Sequence, residues 1–171
     1  MFRFRRKKRT ATLSTTPYTP EELFSPVQGT YKPLNLVGDP VFSSGLLGEG
    51  YAVEATEETI NAPVSGRIVL IQNTLQACAI CTPQGAEVLI HIGVDVAQRN
   101  HYGLKALVET GTHITAGEPL LRISREKEYA STPLPEVMVM VTNMKNFGVN
   151  ITNNDVREVS SGEHLGYTKP R

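Results

Sequence analysis

Residues 85–96 read G-A-E-V-L-I-H-I-G-V-D-V, and this stretch decides the fold. Strand side chains alternate between faces, so the segment splits by parity. Ala86, Val88, Ile90, Ile92, Val94 and Val96 make an unbroken apolar face. Glu87, Leu89, His91, Gly93 and Asp95 make the other face, which mixes one apolar side chain with a glycine, an imidazole and two carboxylates. His91 therefore points away from the core while a buried strand holds its backbone. On the pattern alone it is either a partly exposed sheet histidine with no role or an accessible reactive group. Four residues of straight strand span about 13 Å, too far for His91 and Asp95 to share one ion. No metal site is expected there, and no H-x-H pair occurs elsewhere. His101, His113 and His164 sit in polar or turn contexts and read as surface histidines.

Outward from this strand the chain continues in short β segments cut by Gly, Pro and Asn: residues 66–71 (GRIVLI), 119–123 (PLLRI) and 136–141 (EVMVMV). Two short helices are expected, at 102–110 (YGLKALVET), where Leu104, Ala106 and Leu107 make an apolar stripe, and around 41–47. Residues 25–34 (SPVQGTYKPL) and 62–71 (APVSGRIVLI) each place Pro-Val-x-Gly before a strand. Proline fixes φ and glycine permits a tight turn, so each copy launches a strand, and G-T-H-I-T-A-G-E-P-L-L-R at 111–122 has related punctuation. The predicted fold is all-β and mainly antiparallel, a compact β-sandwich or barrel-sandwich hybrid with one or two short helices.

The 171 residues have a single-domain length, and 40% hydrophobic with 20% charged residues is enough for a real core. No apolar run approaches the roughly 20 residues that span a bilayer. The formal net charge of +0 hides an asymmetry. Residues 1–9 (MFRFRRKKR) hold six of the 17 basic residues and no acid, which leaves a body of net −6. A basic leader on an acidic body argues against a nucleic-acid binder. No apolar run follows the charges, so the leader is not a secretory signal. Residues 1–21 are expected to be a flexible tail, with weak attraction of residues 1–9 to an anionic membrane face as the functional alternative. Cys78 and Cys81 form C-A-I-C within a strand, where they read as ordinary thiols on opposite faces, in keeping with a cytoplasmic setting.

Five ordered motifs together resemble the glucose-type enzyme IIA family of the bacterial sugar phosphotransferase system. They are D-P-V-F-S-S-G-L-L-G-E-G-Y-A-V (39–53), I-N-A-P-V-S-G-R-I (60–68), E-V-L-I-H-I-G-V-D (87–95), G-T-H-I-T-A-G-E-P-L-L (111–121) and V-T-N-M (141–144). The resemblance covers residues 22–168, which it marks as an enzyme IIA-like domain followed by a tail at 169–171. It implies a phosphocarrier that accepts a phosphoryl group from HPr on His91 and passes it to an enzyme IIB domain, coupled to sugar uptake through enzyme IIC. No cofactor is implied beyond the covalent phosphoryl group. Neutral imidazole is a nucleophile near pH 7, and phosphoryl transfer needs positioning and charge stabilisation more than covalent machinery. Gly93 is expected to let backbone N–H groups approach the phosphoryl oxygens, with Asp95 bordering the site. Val41, Phe42 and Leu89 are the candidates for an apolar docking rim; otherwise they are ordinary core.

Two departures stand out. The family pattern ahead of the acceptor strand runs roughly T-x-H-A, and here it is T-L-Q-A (74–77). Thr74 is kept and Gln76 replaces the second histidine. An amide can donate a hydrogen bond but cannot become a cation, so acceptance can survive while onward transfer is impaired. The zinc site that two family histidines can build is not expected. H-Y-G-L (101–104) replaces the usual G-x-G-F. A second reading is therefore a regulatory binding protein whose docking face changes by roughly −2 in charge when His91 is phosphorylated. A biotinyl- or lipoyl-type swinging-arm domain would need a modifiable lysine in an exposed hairpin. Between residues 62 and 121 there is only Lys105, in the expected helix.

Overall fold

His91 lies on a strand with neighbours on both sides. That strand is β7 (Glu87–Ile92), bonded to β6 (Ala77–Cys81) and β11 (Glu136–Val141). The computed structural model describes residues 18–94 and 102–171. The three strands are the middle of an eight-stranded sheet. Beyond β11 come β3 (Glu49–Ala55), β2 (Gly29–Pro33) and β13 (Arg157–Val159); beyond β6 come β5 (Gly66–Ile71) and β9 (His113–Ile114). A three-stranded sheet runs β4 (Thr59–Asn61), β10 (Pro119–Arg125), β8 (Tyr102–Ala106), and another runs β1 (Glu22–Phe24), β14 (His164–Pro170), β12 (Phe147–Ile151). Every ladder among the described residues is antiparallel. The chain is thus the all-β sandwich that the alternating segments imply.

The parity of β7 explains the layering. Val88, Ile90 and Ile92 are fully buried and share the main core with Val137, Val139, Cys78, Ile80 and, from β10, Leu121 and Ile123. Burying each such side chain contributes about 1.5–3 kcal/mol, which ties β7 to the molecule's interior. The opposite face of the same strands carries a smaller apolar cluster of Leu34, Val37, Phe42, Ala52, Met138 and Met140, with Leu89 and Val94 packed against it. The segment covering it includes α1 (Pro40–Ser43), capped by the Asp39 carboxylate, which accepts the Val41 N–H at 2.8 Å. Proline at the first helical position and aspartate at the cap are the expected start signals.

The repeated turns meet in space. Phe24 N–H donates to the Pro63 carbonyl at 2.9 Å and Asn61 N–H to the Pro26 carbonyl at 2.8 Å, joining the two Pro-Val-x-Gly copies. Gly117 N–H and Glu118 carbonyl bond to Ala62, bringing in the third segment. Gly29 and Gly66 launch equivalent strands where a Cβ would lie 1.9 Å from the Glu54 carbonyl oxygen and 2.4 Å from that of Cys81, respectively.

The helix expected at 102–110 is a strand. Tyr102, Leu104 and Ala106 alternate toward the core while β10 supplies the hydrogen-bond ladder, from Tyr102 opposite Arg125 to Ala106 opposite Leu121. Period two wins over the short stripe, and Leu107 is left exposed. The second helix survives as α1, displaced toward the N-terminus of 41–47. Of the leader drawn at 1–21, residues 1–17 lie outside the described residues. Tyr18 already belongs to the body, its hydroxyl 2.6 Å from Thr168 Oγ1. Glu21 accepts the Gln84 N–H at 2.8 Å. Of residues 169–171, expected as a tail, Lys169 and Pro170 end β14, and Arg171 pairs with Glu49 and donates its N–H to the Asn146 carbonyl. Among the described residues no helix is long and apolar enough to cross a membrane.

Candidate functional site

Register places Ala52, Met138, His91 and Ala77 side by side on β3, β11, β7 and β6. Cross-strand partners share a face, so His91 stands on the outer face, flanked by small and apolar side chains. Phe42 from α1 packs on it, with ring centroids 4.8 Å apart at 51°. The imidazole is half-buried: it is backed by the sheet and by Phe42, yet it is not sealed. Cys78 and Cys81 split as their strand parity requires, Cys78 inside and Cys81 half-exposed.

The end of the strand is fixed on both sides. Ile92 N–H donates to the Gln76 carbonyl and Gly93 N–H to the Glu136 carbonyl, each at 2.8 Å. Gly93 has φ +77, a left-handed turn that glycine adopts without the Cβ penalty. Its own N–H is committed to Glu136, so the glycine supplies conformation and not a free donor for an anion. A Cβ there would meet Tyr102 Oη at 2.6 Å.

Charge enters along the same outer face. Lys32 lies opposite Ala52 and pairs with Glu136 and with Glu54, the latter at 2.9 Å. Burial works against its charge, but the two carboxylates outweigh burial and hold the Lys32 pKa above its ordinary value. Glu136, one of its partners, is also the residue whose carbonyl anchors Gly93.

The hairpin between β5 and β6 brings Thr74 and Gln76 beside the strand end. Leu75, at φ +60, makes the bend possible at the expense of a left-handed non-glycine residue. Gln76 is only 6% exposed. With Asn73, Thr74, Leu75, Tyr102 and Leu104 it lines a cleft of about 390 Å³. Thr74 is exposed at its edge. Of the expected docking rim, Val41 is 55% exposed and Leu89 half-buried, whereas Phe42 is 5% exposed and packs on His91. Asp95 and His101 lie outside the described residues. His113 and His164 are exposed, as their contexts suggest. Among the described residues no three His, Cys, Asp or Glu side chains gather as a metal site.

Sequence reasoning passed over two features. The segment over the outer cluster also exposes Leu36 and Leu46, the latter by 81%, and the adjacent leucines of G-L-L-G (45–48) were the available signal. The stripe at 102–110 puts Tyr102 in a helix, and nothing in one sequence ties it to Gly93.

The chain is an all-β sandwich that presents a braced, half-buried histidine on the outer face of a central strand. A family model described as phosphoenolpyruvate-dependent sugar phosphotransferase system, EIIA 1, matches residues 21–147. The chain belongs to this family, as a glucose-type EIIA. Among its relatives, the glucose-specific EIIA component of Staphylococcus epidermidis is 31% identical over 144 residues, covering 83% of this chain and 85% of the relative. The glucose-specific EIIBCA component of Corynebacterium glutamicum is 39% identical over 128 residues, covering 74% of this chain. The chain spans about a fifth of the length of the latter, in which EIIA is joined to B and C units. Glucose permease IIA from Mycoplasma capricolum superposes with a TM-score of 0.71 at 25% identity, covering 88% of this chain and 96% of that structure.

Proposed function

We propose that this chain is a cytoplasmic phosphocarrier that takes a phosphoryl group from HPr onto His91 and gives it to an enzyme IIB domain serving an enzyme IIC permease. The observation that carries the reading is the presentation of His91, half-buried against Phe42 on a strand fixed by neighbours on both sides. In the first step a P–N bond to the donor imidazole breaks as one to His91 forms. The proton displaced from the acceptor ring goes to the donor ring. In the second step the phosphoryl group passes to a cysteine sulfur, and His91 recovers its proton from the thiol. No oxidant, metal or cofactor is required.

The residues around His91 act by position. Phe42 and Met138 hold the ring and keep water from its flanks, and a dry site strengthens electrostatic interaction with a transferring phosphoryl group. Thr74 and Gln76 supply neutral donors. Val41, Leu89 and the exposed leucines around α1 offer an apolar rim for the partner. Labelling with HPr and a phosphoenolpyruvate-driven donor, followed by a chase with EIIB domains, tests the reading. Label on His91 that EIIB discharges rapidly supports the carrier, and an unlabelled His91 removes it.

Gln76 favours a second reading. An amide cannot exchange a proton or carry charge, so steadying of the departing phosphoryl group is weaker than with an imidazole. If His91 labels fully but no EIIB domain discharges it, the chain is a phosphorylation-switched regulatory binding protein.

A further inference from the structure

We infer that Tyr102 is a positioning residue for the acceptor strand, its hydroxyl bracing the left-handed turn at Gly93 that follows His91. The inference rests on His91 being the acceptor and adds a residue to that site. Gly93 lies two positions beyond His91, where β7 stops. Hydrogen bonds to Gln76 and Glu136 fix this backbone within the plane of the sheet. They leave the space above Gly93, which has no side chain, to be filled by something else. Tyr102 Oη fills it, 2.6 Å from where a Cβ would stand, with Pro135 Cβ at 3.6 Å as the next neighbour.

Tyr102 is itself well anchored. It opens β8, opposite Arg125 of β10, and its side chain packs against the main core. The contact therefore ties the three-stranded β4–β10–β8 sheet to the acceptor strand of the eight-stranded sheet. The ring carbon bearing the hydroxyl is 3.8 Å from the same point, so the oxygen, and not the ring, makes the close approach. Tyr102 also lines the cleft that holds Thr74 and Gln76. Thr74 and Gln76 of T-L-Q-A and Tyr102 and Leu104 of H-Y-G-L, the two departures noted in the sequence, thus line one cleft. Small errors in the placement of a reacting group weaken in-line transfer steeply, so a brace here acts on rate and not on docking.

Tyr102→Phe keeps the ring and removes the oxygen. Expected is an unchanged stoichiometry of His91 labelling, with the kcat for acceptance from HPr lowered about fivefold and KM unaltered. The ³¹P resonance of the phosphohistidine should narrow as the ring gains freedom. Gly93→Ala alone clashes with the hydroxyl. In the Tyr102→Phe background the added methyl group has room, and kcat should rise about threefold above that of Gly93→Ala. A Tyr102→Phe protein with wild-type kcat and ³¹P line, or a double variant no faster than Gly93→Ala, overturns the inference and leaves the acceptor reading standing. Absence of label on His91 in the wild-type chain overturns both.

Discussion

Gly93 concentrates several demands in one residue. Its φ of +77 penalises any L side chain by about 1–2 kcal/mol, and the Tyr102 oxygen stands where a Cβ must go. Gly93→Ala is expected to lower stability by about 2 kcal/mol or more in chemical denaturation; a loss under about 0.5 kcal/mol would show that the turn is not held as described. Gln76 invites the opposite experiment. Gln76→His should raise transfer to an EIIB domain while changing acceptance from HPr little, and an unchanged discharge rate would clear position 76 of limiting the reaction. Cys78 predicts a pH response. Burial pushes its thiol pKa up to about 11 from an ordinary 9.0. The folded state keeps the proton that the unfolded chain releases, so this contribution is complete below about pH 9 and fades as pH rises toward 11. Melting at pH 8, 9, 10 and 11 in wild type and Cys78→Ala checks it: the wild type should show the extra alkaline loss, and parallel curves would contradict it.

The elements show why one part of the fold was legible and another was not. β5, β7, β10 and β11 could be read within a residue or two because each alternates strictly or runs apolar between turn residues. The outward position of His91 and the splitting of Cys78 and Cys81 between two faces followed from that parity alone. β8 escaped because Y-G-L-K-A-L has apolar residues at spacings that suit either period. Its ladder with β10, a tertiary fact, decides the matter. Phe42, read as rim or as ordinary core, is buried against the sheet, since a four-residue helix leaves only one apolar side chain facing it while Val41 turns outward. The contact between Tyr102 and Gly93 crosses two sheets and leaves no periodic trace. The difference between neighbours in α1 yields a prediction. Val41→Asp should raise the KM for HPr about tenfold with Tm almost unchanged, because 55% exposure leaves little packing to lose. An unaltered KM would place the docking rim elsewhere.

Across the whole molecule, two packed layers give β7 one face for stability and leave the other to present His91, the proposed acceptor. The core anchors β7 through Val88, Ile90 and Ile92, and the same strand offers Leu89 and His91 outward. The charge of the chain is partitioned as well, since residues outside 1–9 carry net −6. A phosphoryl group adds roughly −2 to the outer face, enough to alter which partner fits it. Membership in the EIIA family and the sandwich supply the context, and one imidazole, His91, is the proposed carrier of the group. The direct measurement is phosphate transfer from purified HPr to the wild-type chain and to His91→Ala, with acid lability and peptide mapping of the label. Acid-labile phosphate mapping to His91 in the wild type, and none on the variant, is the predicted result; label retained by His91→Ala would contradict it.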